Sequence, residues 1–331
     1  MSKRTLGPLV LLLSLGIAFA IGEVSLRLFS TYWLEVYDVE MWRYARQLKV
    51  VSSDPSVITE QRPNATAFLM GARVRTEAHG FRLPDPATEA KRRPDNRVVV
   101  AVGDSLTFGW GVPEGQTYPD QLERLLAARC GQHGGRPATV HNAGIGNCNT
   151  SMELARYKLR IRPSFRPDWV ILGFSFNDAE ADTVPSTNPF LWHSALLALA
   201  SSRFQKATDP GLRNYNAYYT GLYKDGLPGW EAAKRAVREF GASLQADHVP
   251  GTLLLLPELH QPKNFGPLAE VYARVAKIGR ESGFEVIDGS VDFPPGSGEK
   301  YFVSKEDAHP NAAAQALYAK ALAASRYACG R

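Results

Sequence analysis

Cysteine is scarce in this chain: Cys130, Cys148 and Cys329 are the only three in 331 residues. Their spacing matches no metal-binding pattern. They are too few for a disulfide-built scaffold, although one bridge with one free thiol stays open. No internal repeat or low-complexity tract organises the sequence, and no nucleic-acid-binding module is present. The formal net charge of +5 is mild. Much of it is scattered Arg and Lys, including Lys91-Arg92-Arg93 in a proline-rich stretch. This reads as solvated basic surface and argues against DNA or RNA as a partner. What is present is apolar content, 44% hydrophobic against 21% charged, which is ample for a sizeable core. The length could hold two domains, and a single α/β domain with extensions also fits.

Thr5 to Gly22 contains no charged residue, and Lys3 and Arg4 precede it. At about 1.5 Å per helical residue, such a stretch nearly crosses a hydrocarbon core of roughly 30 Å. The basic pair places the N-terminus in the cytoplasm and sends the rest across the membrane. Ala18-Phe19-Ala20 offers a signal-peptidase site as the competing reading, which would release the protein. Helical amphipathicity continuing through Glu23 to Phe29 favours an uncleaved anchor. Either way the bulk lies outside the cytoplasm. Residues 1–29 are therefore expected as anchor or signal, and 30–96 as a juxtamembrane segment and linker. Within it Trp33, Tyr37, Met41, Trp42 and Tyr44 form an aromatic helix that lies near the membrane surface or packs on the main domain. Prolines 84, 86 and 94 lead into the first strand.

From residue 97 onward, strands alternate with helices. Val98 to Gly103 is a continuous apolar run, as a buried parallel strand requires. A helix over Tyr118 to Cys130 follows. Further strands are expected at Ala138 to Asn142, Asp168 to Gly173, Thr252 to Leu256 and Phe284 to Ile287. Helices are expected at Met152 to Arg160, Trp230 to Ala246, Pro267 to Ser282 and Asn311 to Ala324. This is a flavodoxin-like, doubly wound parallel sheet of five strands covered on both faces. The stretch from about 181 to 229 breaks the alternation. It carries Phe190, Trp192, Tyr215, Tyr218, Tyr219 and Tyr223, and leaves the carboxyl end of the third strand. It is a substrate-binding lid or an aromatic-packed excursion.

Ligands of such sheets bind at the carboxyl ends of strands. The first strand ends in Gly103-Asp104-Ser105-Leu106, which makes Ser105 a candidate nucleophile. Glu306-Asp307-Ala308-His309-Pro310-Asn311 precedes the last helix, at the same edge. His309, of a residue type with an unperturbed pKa of about 6.5, can take the Ser105 proton. Asp307, with Glu306 in reserve, would orient it. Oxyanion donors are available from the Ser105 N–H, the loop around Gly146 and Asn147, and the Asn177 amide. Asp104 and Asp178 stand beside these residues as possible supports.

These blocks, in this order, resemble the SGNH (GDSL-type) hydrolase superfamily over about residues 97 to 328. More narrowly the chain is similar to membrane-anchored bacterial members that accompany exopolysaccharide genes, through Phe174 to Glu180 and Pro257-Glu258-Leu259-His260. The resemblance implies an esterase or acyl-transfer mechanism without metal or cofactor, with Ser105 as nucleophile and oxyanion donor. Two departures stand out. Asn147 occupies the place where members usually carry glycine, though Asn tolerates positive φ. Many members also space the carboxylate three residues before the histidine, which here would be Glu306. In this architecture the first and last helices share a face and end opposite the active edge. A Cys130–Cys329 disulfide is therefore expected, with Cys148 free near the site. Three functions compete: an esterase that deacylates an extracytoplasmic glycan or lipid, an O-acyltransferase with the same residues, and a non-catalytic glycan-binding or assembly protein. No protein partner is specified by the sequence.

Overall fold

The computed structural model describes residues 3–30, 36–131, 135–182, 188–208, 215–296 and 298–330. The charge-free stretch lies within one helix, α1 (Lys3–Phe29). Every residue from Leu6 to Ile21 is exposed, and Leu6–Phe29 is long and apolar enough to cross a membrane. Contact with the rest of the chain begins at Gly22, where a Cβ would stand 3.4 Å from Leu196.

Trp33 lies outside the described residues. Beyond it, α2 (Tyr37–Gln47) leads into the hairpin of β1 (Lys49–Val51) and β2 (Thr59–Gln61). A second hairpin pairs β3 (Thr66–Leu69) with β4 (Ala72–Arg75), and α3 (Pro86–Glu89) follows, capped by Asp85. Of this aromatic segment, Tyr37, Met41 and Tyr44 pack on the domain. Tyr44, Leu48, Leu69, Met70 and Val74 form a satellite core with Phe108 and Trp110, which follow the first sheet strand. Arg82 binds this layer to the sheet, its N–H donating to Asn142 O at 3.0 Å.

The main sheet is parallel, ordered β6-β5-β7-β8-β9. Its strands are β5 (Arg97–Gly103), β6 (Ala138–Gly144), β7 (Trp169–Phe174), β8 (Gly251–Leu255) and β9 (Glu285–Asp288). Along β5 the side chains alternate between faces. Val100 and Val102 join the core under α6 (Thr150–Arg156), α11 (Pro228–Ala246) and α12 (Ala269–Glu281). Val99 and Ala101 join the core under α5 (Tyr118–Gly131) and α13 (Ala312–Ala323). Short helix α4 (Ser105–Phe108) follows β5, and α6 continues through a π turn into α7 (Arg162–Phe165). The excursion after β7 carries α8 (Pro189–His193), α9 (Ala195–Thr208) and α10 (Tyr215–Leu222). Residues 183–187 and 209–214 of it lie outside the described residues.

Two differences from expectation bear on the site. β6 runs on past the expected Asn142 through Ala143 and Gly144, because Gly103 pairs with Gly144. A Cβ at Gly144 would meet Phe108 N at 2.2 Å, so glycine is what lets α4 sit on the strand end. The histidine segment is not a plain loop: β11 (Asp307–Pro310) pairs antiparallel with β10 (Phe302–Ser304). This ribbon of 3 and 4 residues is too short for a period-2 pattern to show.

Cys130 ends α5, and it is joined to Cys329 with a Cα–Cα separation of 5.3 Å. Arg97, the first residue of β5, donates to the carbonyls of Ala328 and Tyr327 there, so the bridge lies at the amino edge of the sheet. Cys148 is buried and free, and burial pushes its thiol up to about 12.

Candidate active site

The strand-to-helix turn at the end of β5 builds the site. Asp104 caps α4, its carboxylate accepting the Leu106 N–H at 2.8 Å and lying 2.9 Å from Ser175 Oγ. Ser105 is thereby the first helical residue, a position whose N–H has no intrahelical partner. Its Oγ stands 3.0 Å from His309 Nε2. On the other side of the ring, Nδ1 lies 2.5 Å from Asp307 Oδ1, which also accepts the His309 backbone N–H at 3.0 Å. The second Asp307 oxygen accepts Trp110 Nε1–H at 2.8 Å. Glu306 is exposed on the turn before β11 and does not enter this chain of bonds. Burial alone would raise the Asp307 pKa. The charge of His309, together with the hydrogen bonds from His309 and Trp110, outweighs burial and holds it below the usual value. Tyr37 of α2 stacks on the His309 ring at 6.1 Å, and Trp110 lies at 6.1 Å on another side. An imidazole so enclosed is restricted to the orientation that faces Ser105.

The oxyanion candidates separate. Gly146 is corrected: its N–H donates to the buried Tyr44 Oη at 2.9 Å and is not available to a substrate. Asn147 adopts φ 61, the left-handed conformation, and its N–H has no partner among the described residues. Asn177 is hydrogen-bonded to Asp104, and its Oδ1 lies 2.5 Å from Ser175 Oγ. An amide nitrogen carries two protons, so one remains for a ligand.

Beneath this layer three carboxylates are almost fully buried: Asp104 at 0%, Glu153 at 0% and Asp178 at 2% exposure. Burial raises all three, and repulsion from neighbouring carboxylates adds to it at Glu153 and Asp178, which lie well above the ordinary range. Asp178 accepts the Ser175 N–H at 2.6 Å, which ties Asn177 into a fixed turn. Neither carboxylate oxygen of Glu153 has a hydrogen-bond partner among the described residues.

Several site residues escaped the reading of the sequence. Arg82, fully buried, donates to the carbonyls of Phe108 at 2.9 Å and Gly109 at 2.6 Å, and also to that of Val112. It thus fixes the loop that carries Trp110. A cavity of about 420 Å³ opens beside His309, with Tyr37, Phe176, Lys206, Tyr219 and His260 among its walls. Of the excursion after β7, Lys206 and Tyr219 reach this cavity. Tyr223 instead belongs to the core and donates to Phe176 O at 2.9 Å. His260 and Glu258 repeat the spacing of His309 and Asp307, with Nδ1 bonded to the carboxylate. The only sequence signal for that pair was the Pro257-to-His260 run, which carried no assigned role.

Among protein-family models, the GDSL-like Lipase/Acylhydrolase family matches residues 101–317. A lipolytic protein of the G-D-S-L family from Desulfitobacterium hafniense is a similar solved structure, at 17% identity and TM-score 0.43, covering 69% of this chain and 98% of that one. A catalytic mutant of an acetylxylan esterase from Geobacillus stearothermophilus is similar at 15% identity and TM-score 0.44, covering 69% and 92%. An α/β hydrolase from the metagenome of Lake Arreo, Spain, is similar at 18% identity and TM-score 0.43, covering 71% and 95%. No curated protein matches the sequence.

Proposed function

The chain belongs to the GDSL-like lipase/acylhydrolase family and is a carboxylic ester hydrolase, and we propose that Ser105, His309 and Asp307 are its catalytic triad. The unbroken path from Ser105 Oγ through the His309 ring to Asp307, 3.0 Å and 2.5 Å, carries this reading. His309 Nε2 takes the hydroxyl proton as Oγ attacks the ester carbonyl. Asp307 keeps the remaining ring proton on Nδ1 and stabilises the imidazolium. Negative charge on the carbonyl oxygen is met by the N–H groups of Ser105 and Asn147 and by the Asn177 amide. One such donor is typically worth about 100- to 1,000-fold in rate. His309 then returns the proton to the leaving alcohol, and a water activated by the same ring releases the acyl group.

The substrate we assign is an acyl ester, acetyl being the smallest, on an extracytoplasmic glycan or lipid. The cavity mixes aromatic rings with Lys206 and His260, a lining suited to a polar, ring-bearing ligand. Residues 1–29 then serve as an uncleaved anchor and 97–331 as the hydrolase domain. Two features support the anchor: α1 runs without a break through Ala18-Phe19-Ala20, and its last turns are bonded into the domain through Glu23 and Arg27. A second reading, transfer of the acyl group to a sugar hydroxyl, gains support from the Glu258–His260 pair in the same cavity, a second base near an entering alcohol. Release of acetate from acetylated polysaccharide by the wild type, with Ser105→Ala reduced by roughly 10⁴- to 10⁶-fold, is the expected result. Equal release by both proteins would refute the triad. Acetylated acceptor in place of free acetate would favour transfer.

A further inference from the structure

The junction between α1 and the domain locates the membrane surface on the protein. Leu6 to Ile21 is exposed and uncharged, so with α1 read as a retained anchor this stretch lies in the bilayer, and Gly22 is already packed against Leu196. At this boundary stands the first turn of α9. Glu23 accepts from Ser194 Oγ at 2.8 Å and from the backbone N–H groups of Ala195 and Leu196, each at 2.9 Å. Arg27 donates to His193 O at 2.6 Å, and Trp42 Nε1 donates to Leu191 O at 3.0 Å. The carboxylate caps α9 together with Ser194, whose Oγ accepts the Leu197 N–H at 3.1 Å, and the α8–α9 corner is thereby fixed to the end of the span.

Helix α9 has two unlike sides. One is clasped to α2, where Ser202 and Lys206 bond Asp38 at 2.8 and 2.7 Å and Arg203 pairs with the same carboxylate at 3.2 Å. The other side, with Ala200 and Phe204, faces outward, and Phe204 is 70% exposed. Phe190 of α8 is 73% exposed. Two open phenylalanine rings on the two helices joined to the end of the span, with Arg203 next to Phe204 in the chain, suit a helix lying in a membrane interface.

We infer that the α8–α9 corner is seated in the membrane interface, with Phe190 and Phe204 in the headgroup–acyl boundary. The catalytic cavity is thereby held at the membrane surface. From Ala195 to Lys206 is eleven residues, so the backbone of Lys206, whose side chain lines the cavity, lies about 17 Å along the helix axis from the junction. The substrate class follows: an acyl ester displayed at the bilayer surface, on a lipid or a lipid-linked glycan. This rests on the reading of α1 as a retained anchor and of Ser105 as the nucleophile.

The test uses the full chain, with Cys148→Ala, reconstituted in phosphatidylcholine–phosphatidylglycerol vesicles. Single cysteines at Leu12→Cys, Phe190→Cys, Phe204→Cys and Leu125→Cys each carry an NBD fluorophore. Loss of emission with doxyl-labelled lipid, and protection from aqueous iodide, are expected at 12, 190 and 204. The opposite is expected at 125, which is exposed on α5. If site 12 is in lipid while 190 and 204 quench with iodide like 125, the inference is overturned and the anchor stands. If site 12 is itself in water, the anchor reading falls, and this inference with it. In a second arm, Phe190→Ser with Phe204→Ser keeps the turnover of soluble p-nitrophenyl acetate. The same variant loses turnover of an acyl ester carried on vesicles while leaving that of a free glycan acetate unchanged. Equal loss on all three substrates would mark the rings as structural and contradict the inference.

Discussion

At His309 the deciding contact is the one between Nδ1 and Asp307, because Glu306 offers the same chemistry one residue earlier. In a strand, residues two apart share a face, so Asp307 and His309 point the same way and Glu306 falls on the turn. A stretch read as loop gives no such rule, which is why sequence spacing left both carboxylates open. Asp307→Asn is expected to lower kcat about 10⁴-fold, and Glu306→Gln to leave it within a few-fold. Steady-state hydrolysis of p-nitrophenyl acetate by the two variants separates them, and a larger loss in Glu306→Gln would reverse the assignment. The buried acids make a second expectation. Raised folded-state pKa values mean that stability from these groups is complete below the ordinary carboxylate range and is lost as pH rises through the raised values. Glu153→Gln removes one such group, its oxygens unpartnered, without changing its size. Thermal unfolding should show the variant gaining on the wild type between pH 5 and pH 8, of order a few degrees. An unchanged difference between the two pH values would show that Glu153 is not held protonated.

Among the elements, the sheet strands and the long helices were legible, because continuous apolar runs and 3.6-residue spacing survive any tertiary context. The N-terminal hairpins were not. Strands of 3 and 4 residues carry too little pattern, and what holds them is long-range. Arg82 illustrates this. In the sequence it is one more scattered cation, yet in the fold it binds carbonyls 26 and 27 residues away, in the loop that presents Trp110 to Asp307. Trp110 itself meets Asp307 across 197 positions, a separation that no local spacing rule reaches. Burial lowers the Arg82 pKa to about 10, which still leaves it charged at neutral pH. Arg82→Leu removes three hydrogen bonds from a charged donor, each worth about 1.5–3 kcal/mol. Phe108 O keeps Asn142 Nδ2–H at 3.3 Å and Gly109 O keeps the Val112 N–H at 3.0 Å, so the Val112 carbonyl is the one left without a partner among the described residues. Denaturant unfolding is expected to show a loss of about 3 kcal/mol or more. Arg82→Lys should recover only part of it, since an ammonium cannot reach the carbonyls in the guanidinium's planar arrangement. A neutral Arg82→Leu would mean that the N-terminal layer does not support the site.

For the molecule as a whole, one topology places Ser105, Asn147, Asn177 and His309 at the carboxyl edge of the sheet and the Cys130–Cys329 bridge at the amino edge. The open cysteine arithmetic and the Gly-Asp-Ser turn have the same structural explanation, since parallel strands put every strand-to-helix turn on one edge. A helix able to span a membrane enters the same body through α9, whose far end lines the cavity. Catalysis at Ser105 is the claim on which the rest depends. Its most direct test is the intact mass of the detergent-solubilised full chain after reaction with a fluorophosphonate, which also reports whether residues 1–20 remain attached. The expected result is one covalent adduct on Ser105 in the wild type and none in Ser105→Ala. An unlabelled wild type, or equal labelling of the two proteins, would contradict it.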